Sequence, residues 1–472
     1  MSHGPQWPLD PDRLLPAEPA QRAVARRIHR ATAELPIVSP HGHVDPGLLL
    51  RDEPFADPAT LFITPDHYVT RLLHADGVSL DDLAAGATEL SEDRSRQVWR
   101  HLCERWTLLA GTSVRTWLEA ELVDIFEVPE RPSAGSADRI FDHLCERLAE
   151  PTYRPRALFE RFDISVLATT DDPCSDLADH AALAADPSWQ GRVVPTFRPD
   201  RYLEPERSTW VDDVARLGEA AGVEVGHYRG YVAALEERRR LFVERGATSA
   251  DHSHADVGCA PLTDAEAGRI YAAALAGSAT EAEATAFRRH MLGEMARMSC
   301  DDGLAMTIHP AVSRNHHTPT FERHGPDTGH DIPTTVEFTR ALRPMLERYG
   351  THPGFHLVLF TLDETVWSRE LAPLAGFYPS VFVGVPWWFL DAPDAMRRFR
   401  EAITDTVGFS RTSGFVDDTR AFCSIPARHD TARRIDAGYL AQLVVEHRLD
   451  EDEATAIAID IAGDQARRVF KL

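Results

Sequence analysis

Lysine is almost missing from this chain. Of its 50 lysine and arginine residues only Lys471 is a lysine, one position from the C-terminus. That absence excludes three kinds of chemistry. No lysine can cradle phosphates in a nucleotide loop, form a Schiff base with a carbonyl substrate, or be carbamylated to bridge two metal ions. Charged chemistry falls to arginine, to 22 histidines and to 74 acidic residues.

Other absences narrow the class further. No run of 18 or more apolar residues occurs, so no transmembrane helix is expected. The start, MSHGPQWPLDPDRLL, has no basic region followed by an apolar stretch, so no signal peptide is expected. The six cysteines (Cys103, Cys145, Cys174, Cys259, Cys300, Cys423) form no C-x-x-C pair, which argues against a structural thiolate zinc site and suits reduced thiols in a cytoplasmic protein. A net charge of −24 argues against a nucleic-acid or anionic-membrane partner. No internal repeat or low-complexity segment stands out.

What is present is a 472-residue chain of ordinary globular composition, 43% hydrophobic and 26% charged. Eight short apolar or β-branched runs recur along it. They are Pro36–Pro40, Ile164–Thr170, Arg192–Phe197, Ala247–Ala250, Leu304–Ile308, His356–Leu362, Val381–Pro386 and Thr412–Val416. Helix-forming stretches such as Thr263–Met298 and Thr334–Tyr349 separate them. Eight strands alternating with helices predict an α/β fold, a closed parallel (β/α)8 TIM-type barrel. About 120 residues separate the first run from the second, and amphipathic pieces at Arg94–Leu109 and Thr116–Phe126 lie between them. Residues 50–155 are therefore read as a helical insertion after the first strand of one barrel domain spanning 1–472.

In such a barrel the active site lies at the C-terminal ends of the strands. Ionisable or aromatic groups follow every run: His41 and His43, Asp171 and Asp172, Arg198 and Asp200, Asp251 and His252, His309, Asp363, Trp387 and Trp388, Asp418 and Arg420. Residues i and i+2 of a strand face the same side, so His41 and His43 could reach one metal ion, with Gly42 permitting close backbone approach. A second pair, His252-Ser253-His254, has the same spacing. Asp418 suits either a third metal ligand or a helix N-cap. Arg198 and Arg420 suit bidentate recognition of a carboxylate, or structural salt bridges. The tandem Trp387-Trp388 suits one ring on the pocket and one in the core.

Several separated motifs then point one way. His41-Gly42-His43, Asp66-His67-Tyr68 with Arg71, Thr170-Asp171-Asp172-Pro173 and Thr196-Phe197-Arg198-Pro199-Asp200 come first. His309 with Arg314-Asn315, Gly325-Pro326-Asp327-Thr328-Gly329, Trp387-Trp388-Phe389, Asp418-Thr419-Arg420, and Pro426 with Arg428-His429 complete the order. Together they resemble the uronate isomerase (glucuronate isomerase) family of the amidohydrolase superfamily, from about residue 30 to the C-terminus. The resemblance implies interconversion of a hexuronate aldose and its ketose, such as D-glucuronate and D-fructuronate or D-galacturonate and D-tagaturonate. It also implies one divalent metal ion, commonly zinc, held by His41, His43 and Asp418. His67, Arg198, Asp251, His309, Trp387 or Trp388, and Arg420 would line the substrate site.

Within that resemblance Asp418 would help open the sugar ring, Tyr68 or His67 would shuttle the carbon-bound proton, and Arg198 or Arg420 would neutralise the carboxylate or enediolate. The partners expected are a small sugar acid and further copies of the chain. Departures from the family pattern fall at Ser39, at Thr112–Trp117 (with Thr116 before the retained Trp117), at Ala250 and at Pro310. Two alternatives stand beside the isomerase: a mononuclear metal-dependent hydrolase of an ester, amide or lactone, and a non-catalytic sugar-acid-binding protein. The intact His41, His43 and Asp418 set disfavours the last.

Overall fold

The computed structural model describes residues 7–472. Residues 1–6, the start of the segment read for a signal peptide, lie outside the described residues. Among the described residues there are ten strands: β1 Ile37–Ser39, β2 Ile164–Ala168, β3 Val193–Val194, β4 Thr196–Phe197, β5 Ser249–His252, β6 Ala305–Ile308, β7 Val312–Ser313, β8 Ile332–Pro333, β9 Leu357–Leu359 and β10 Val381–Val383. β3 and β4 form one stave interrupted at Pro195, which has no N–H to give to the ladder. β7 and β8 pair antiparallel, as a small hairpin in the long connection after β6.

All other pairings are parallel. They run β1–β2, β2–β3, β4–β5, β5–β6, β6–β9 and β9–β10, and an isolated bridge from Asp171 to Phe197 joins the two halves. The eighth stave is the segment after residue 411. Its start bridges β10 through Val383 and Thr412. Its end returns to β1, with Asp418 N–H donating to His41 O (3.3 Å) and His43 N–H donating to Thr419 O (2.9 Å). The hydrogen bonds thus run in sequence round a closed ring of eight staves, which leaves no exposed edge. Parallel neighbours require crossover connections, and helices supply them, for example Ala178–Ala185 between β2 and β3 and Tyr228–Glu244 between β4 and β5.

Some expectations shift. The weak fourth run, Ala247–Ala250, is displaced: the strand is Ser249–His252, buried at all four residues. Its second half is polar because it carries Asp251 and His252 into the barrel, which an apolar count passes over. The eighth run forms a bridge and not a full strand; Gly414, at φ 73, bends the backbone out of extended geometry. Thr263–Met298 is two helices, Asp264–Leu275 and Glu281–Asp302, broken at Gly277 (φ 66) and each begun by a threonine capping box. Of Thr334–Tyr349 only Arg343–Tyr349 is helical.

Between β1 and β2 the chain is largely helical, with Pro58–Phe62, His67–Ala75, Glu92–Glu104, Ser113–Ala120 and Ala137–Leu148 among its elements. Trp99, Phe126 and Phe141 from this stretch are fully buried and belong to the same apolar cluster as Leu167 of β2 and Leu357 of β9. That packing sets the helix His67–Ala75 against the C-terminal mouth of the barrel. Lys471 lies at the opposite end: its ammonium donates to the carbonyls of Gly303 and Gly354, in the turns that lead into β6 and β9. The single lysine is a structural tie, remote from the strand ends that carry the ionisable groups.

Candidate active site

A cavity of about 690 Å³ opens at the C-terminal ends of the staves. His41, His43, His67, Tyr68, Arg198, Asp251, His309, Trp387, Trp388, Asp418 and Arg420 all line it. Residues more than 370 positions apart in sequence meet there because the eighth stave closes on the first.

His41 and His43 follow β1 on one side of its extension, as alternation along a strand dictates. Asp418 Oδ1 lies 2.9 Å from His43 Nε2 and 3.6 Å from His41 Nε2. Neither contact has hydrogen-bond geometry, so this buried carboxylate oxygen has no partner among the described residues. Gly42 makes the approach possible: a Cβ there would stand 3.3 Å from Thr419 O and 3.4 Å from Asp417 Oδ1. Asp418 sits at φ 40 and Trp388 at φ 55, a left-handed conformation that costs a non-glycine residue free energy and clusters at functional sites. Asp418 caps no helix.

The protonation states suit metal binding. Burial pushes the His41 imidazole down to about 4, so it is neutral near pH 7 with a lone pair to give. Burial alone would raise Asp418, but the neighbouring His43 and His41 override it and hold the carboxyl well below the usual range. The neutral His41 imidazole, the His43 imidazole and the Asp418 carboxylate with its unpartnered Oδ1 offer a donor set able to hold a metal ion. A second convergence, His41 with Asp251 and His309, fits less well. Asp251 Oδ1 already accepts from Thr307 Oγ1 (2.7 Å) and His309 Nδ1 (2.7 Å), and the Arg198 guanidinium lies 3.5 Å from Oδ2.

Stacked beside His41, His309 is clamped between aromatic faces, 4.9 Å from the His41 ring and 4.1 Å from Phe360, with the Trp387 edge 4.9 Å away. Its Nδ1–H donates to Asp251, and its Nε2 has no hydrogen-bond partner among the described residues. The Trp388 indole donates to His67 Nε2 (2.9 Å). An indole only donates, so the His67 proton resides on Nδ1. Burial, helped by the Arg420 charge, takes the His67 pKa down to about 3. Burial likewise lifts the Tyr68 phenol well above its ordinary value, so it is an un-ionised hydroxyl. Both tryptophans are buried and both line the cavity, where one ring was expected in the core.

Several wall groups belong to the family motifs and not to the strand ends. Arg314 stacks over Trp388 (5.0 Å to the ring centroid), and Asp327 pairs with Arg420 (3.3 Å), both from the excursion around β7 and β8. Arg428 is buried behind Tyr68 and Trp117, its charge met by Asp391 at 2.5 Å. None follows a stave of the barrel directly (Arg314 follows β7 of the small hairpin), so the strand-end rule gave no signal for them. The second His-x-His pair holds no common point: His252 Nδ1 meets Thr307 O, and His254 Nδ1 meets Glu204.

Comparison with known proteins matches this geometry to one family. A family model described as glucuronate isomerase matches residues 19–470. The chain belongs to the glucuronate isomerase family. It is 52% identical over 468 residues to a uronate isomerase of Cutibacterium acnes, covering 99% of both chains. The crystal structure of a glucuronate isomerase from Caulobacter crescentus superimposes with a TM-score of 0.95 at 43% identity, covering 98% of this chain and 97% of that one. A uronate isomerase structure from Thermotoga maritima gives 0.92 at 25% identity, covering 98% and 100%. Family membership carries the TIM-barrel fold and an isomerase activity, and the His/Asp group fits a bound metal. No helix of the described residues is long and apolar enough to cross a membrane.

Proposed function

We propose that this chain interconverts hexuronate aldoses and ketoses, D-glucuronate with D-fructuronate and D-galacturonate with D-tagaturonate, in the cavity at the barrel mouth. One observation carries the reading. A His41/His43/Asp418 donor set and the Arg198 and Arg420 guanidinium groups face the same cavity in a chain 52% identical to a uronate isomerase.

The reaction moves a hydrogen from carbon 2 to carbon 1 as a proton, and the hydroxyl proton from O2 to O1, through an enediol. No redox partner is consumed. A single divalent ion, zinc, held by His41, His43 and Asp418, would supply Lewis acidity toward a substrate oxygen. The protein does the rest. Asp418, ionised, accepts the hydroxyl proton that releases the open-chain aldehyde. Tyr68 or His67 moves the carbon-bound proton: the un-ionised Tyr68 phenol must first give up its own proton to act as a base, and the His67 Nε2 lone pair must first part from the Trp388 indole. Arg198 and Arg420 neutralise the carboxylate and the developing enediolate, Asp251 and His309 hold sugar hydroxyls, and Trp387 and Trp388 wall the ring. The substrate partner is thus a small sugar acid, and association with further copies of the chain belongs to the same reading.

A coupled assay of the purified protein with glucuronate and galacturonate, before and after a chelator, tests it. Ketose from either acid, lost on chelation and restored by zinc, is the expected result. No ketose from either, with hydrolysis of a lactone or ester instead, would overturn it in favour of a hydrolase.

A further inference from the structure

His254, the unassigned member of the second His-x-His pair, has a side chain that is 0% exposed. Its Nδ1 lies 2.9 Å from Glu204 Oε1 and its Nε2 3.6 Å from Asp200 Oδ1. Asp200 accepts the Ser253 backbone N–H (3.1 Å to each oxygen) and the Nε–H of Arg198 (3.2 Å). Alternating charge therefore runs from Glu204 through His254 and Asp200 to Arg198 on the cavity wall. Because Asp200 occupies Arg198 Nε, both terminal nitrogens of the guanidinium are without a protein hydrogen bond among the described residues. They are free to grip a ligand in the two-pronged manner that arginine favours.

Buried charges persist only when paired. A neutral ring here would leave two carboxylates facing each other across an uncharged group. Burial alone would discharge His254, but the charge of Asp200 and the hydrogen bond to Glu204 outweigh it, and its pKa lies above the ordinary value. Arg288, from the helix Glu281–Asp302, also faces the ring and opposes that shift. Neighbouring His252, 6.5 Å away between centroids, is pushed down to about 3 by burial and is uncharged.

We propose that His254 is a positioning residue: a buried imidazolium that fixes Asp200, which in turn aims Arg198 into the cavity. The proposal rests on the reading of Arg198 as a substrate contact. It gives the second histidine pair a role in sugar-acid affinity without any metal.

The decisive variant is E204Q/H254Q, which removes one positive and one negative charge together and keeps the buried balance, with E204Q as control. We expect a thermal midpoint close to the parent's and a fall in hexuronate kcat/KM of at least about tenfold, mainly through KM. In an Arg198→Lys background the same pair should change kcat/KM less than about twofold, because interacting groups are non-additive. Parental kcat/KM in E204Q/H254Q, or an equal loss in both backgrounds, would overturn the proposal. If that pair does not fold, Asp200→Asn removes the middle link, and a parental KM in it has the same force. Parental kcat/KM in Arg198→Lys alone would instead refute the substrate contact of Arg198, and the proposal with it.

Discussion

The indole N–H of Trp388 and Nε2 of His67 are joined at 2.9 Å, which ties the loop after β10 to the helix His67–Ala75 across the cavity mouth. The bond sets the His67 tautomer. Trp388→Phe keeps an aromatic ring beside Phe389 and removes the donor. It should cost about 1 kcal/mol, the net value of a part-buried hydrogen bond, and lower kcat/KM for the hexuronate. Urea unfolding and steady-state assays read the two effects. A parental urea midpoint would show that the bond contributes nothing.

Metal content should follow the His41, His43 and Asp418 set. The parent is expected to bind about one equivalent of zinc, and His41→Ala or Asp418→Asn far less, by elemental analysis. Chelation should lower the parental melting temperature, because a ligand bound only by the native state stabilises it by mass action. Zinc should restore it. Unchanged metal content in His41→Ala would remove that residue from the ligand set.

Glu121 supplies a pH signature away from the metal. It is buried in the turn after the helix Ser113–Ala120, and burial, reinforced by Asp66, lifts its carboxyl to about 8. The folded state therefore holds a proton that the unfolded chain releases near the ordinary glutamate value. The associated stability is fully present below about pH 4.3 and is lost as pH rises toward 8. Glu121→Gln imitates the protonated side chain. It should raise the melting temperature at pH 8 and leave it nearly unchanged at pH 4.5. Equal shifts at both pH values would contradict the assignment.

Arg428 is a buried cation whose partner, Asp391, stands 2.5 Å away; burial lifts that carboxyl to about 7 against the pull of the Arg428 charge, and the Trp117 ring lies 3.6 Å from the guanidinium carbon. Removing one partner of a buried pair strands the other. Arg428→Met should therefore cost about 3–5 kcal/mol in denaturant unfolding. Asp391→Asn added to it should recover part of the loss, and full additivity of the two costs would argue against a coupled pair.

Much of the barrel was legible as alternation. Seven of the eight apolar runs coincide with or overlap strands, because staves buried on both faces need continuous apolar or β-branched residues. The fourth run was faint because its strand carries Asp251 and His252, and the eighth because Gly414 bends it. The strand-end rule located His41, His43, Arg198, Asp251, His309 and Asp418. It was silent on Arg314 and Asp327, which reach the cavity from the β7–β8 excursion, and on Arg428, which arrives from the helix Ile425–Val445. No local spacing encodes a contact made by a long connection folding back over the mouth.

Residue types and their order determined which chemistry was open to this chain. With its one lysine spent on Gly303 and Gly354 at the far end of the barrel, neither a Schiff base nor a lysine-bridged metal pair is available. Tertiary structure alone decided which groups are free to act. Among the described residues it gave Asp418 Oδ1 no hydrogen-bond partner, engaged the His67 lone pair with Trp388, and turned His254 from a candidate ligand into a buried link behind Arg198. The physical reason is that reactivity depends on desolvation and on the groups a side chain meets, and these are set by closure of the eighth stave onto the first and by helices packed over the mouth. Sequence specifies the atoms; the fold assigns their charges and partners.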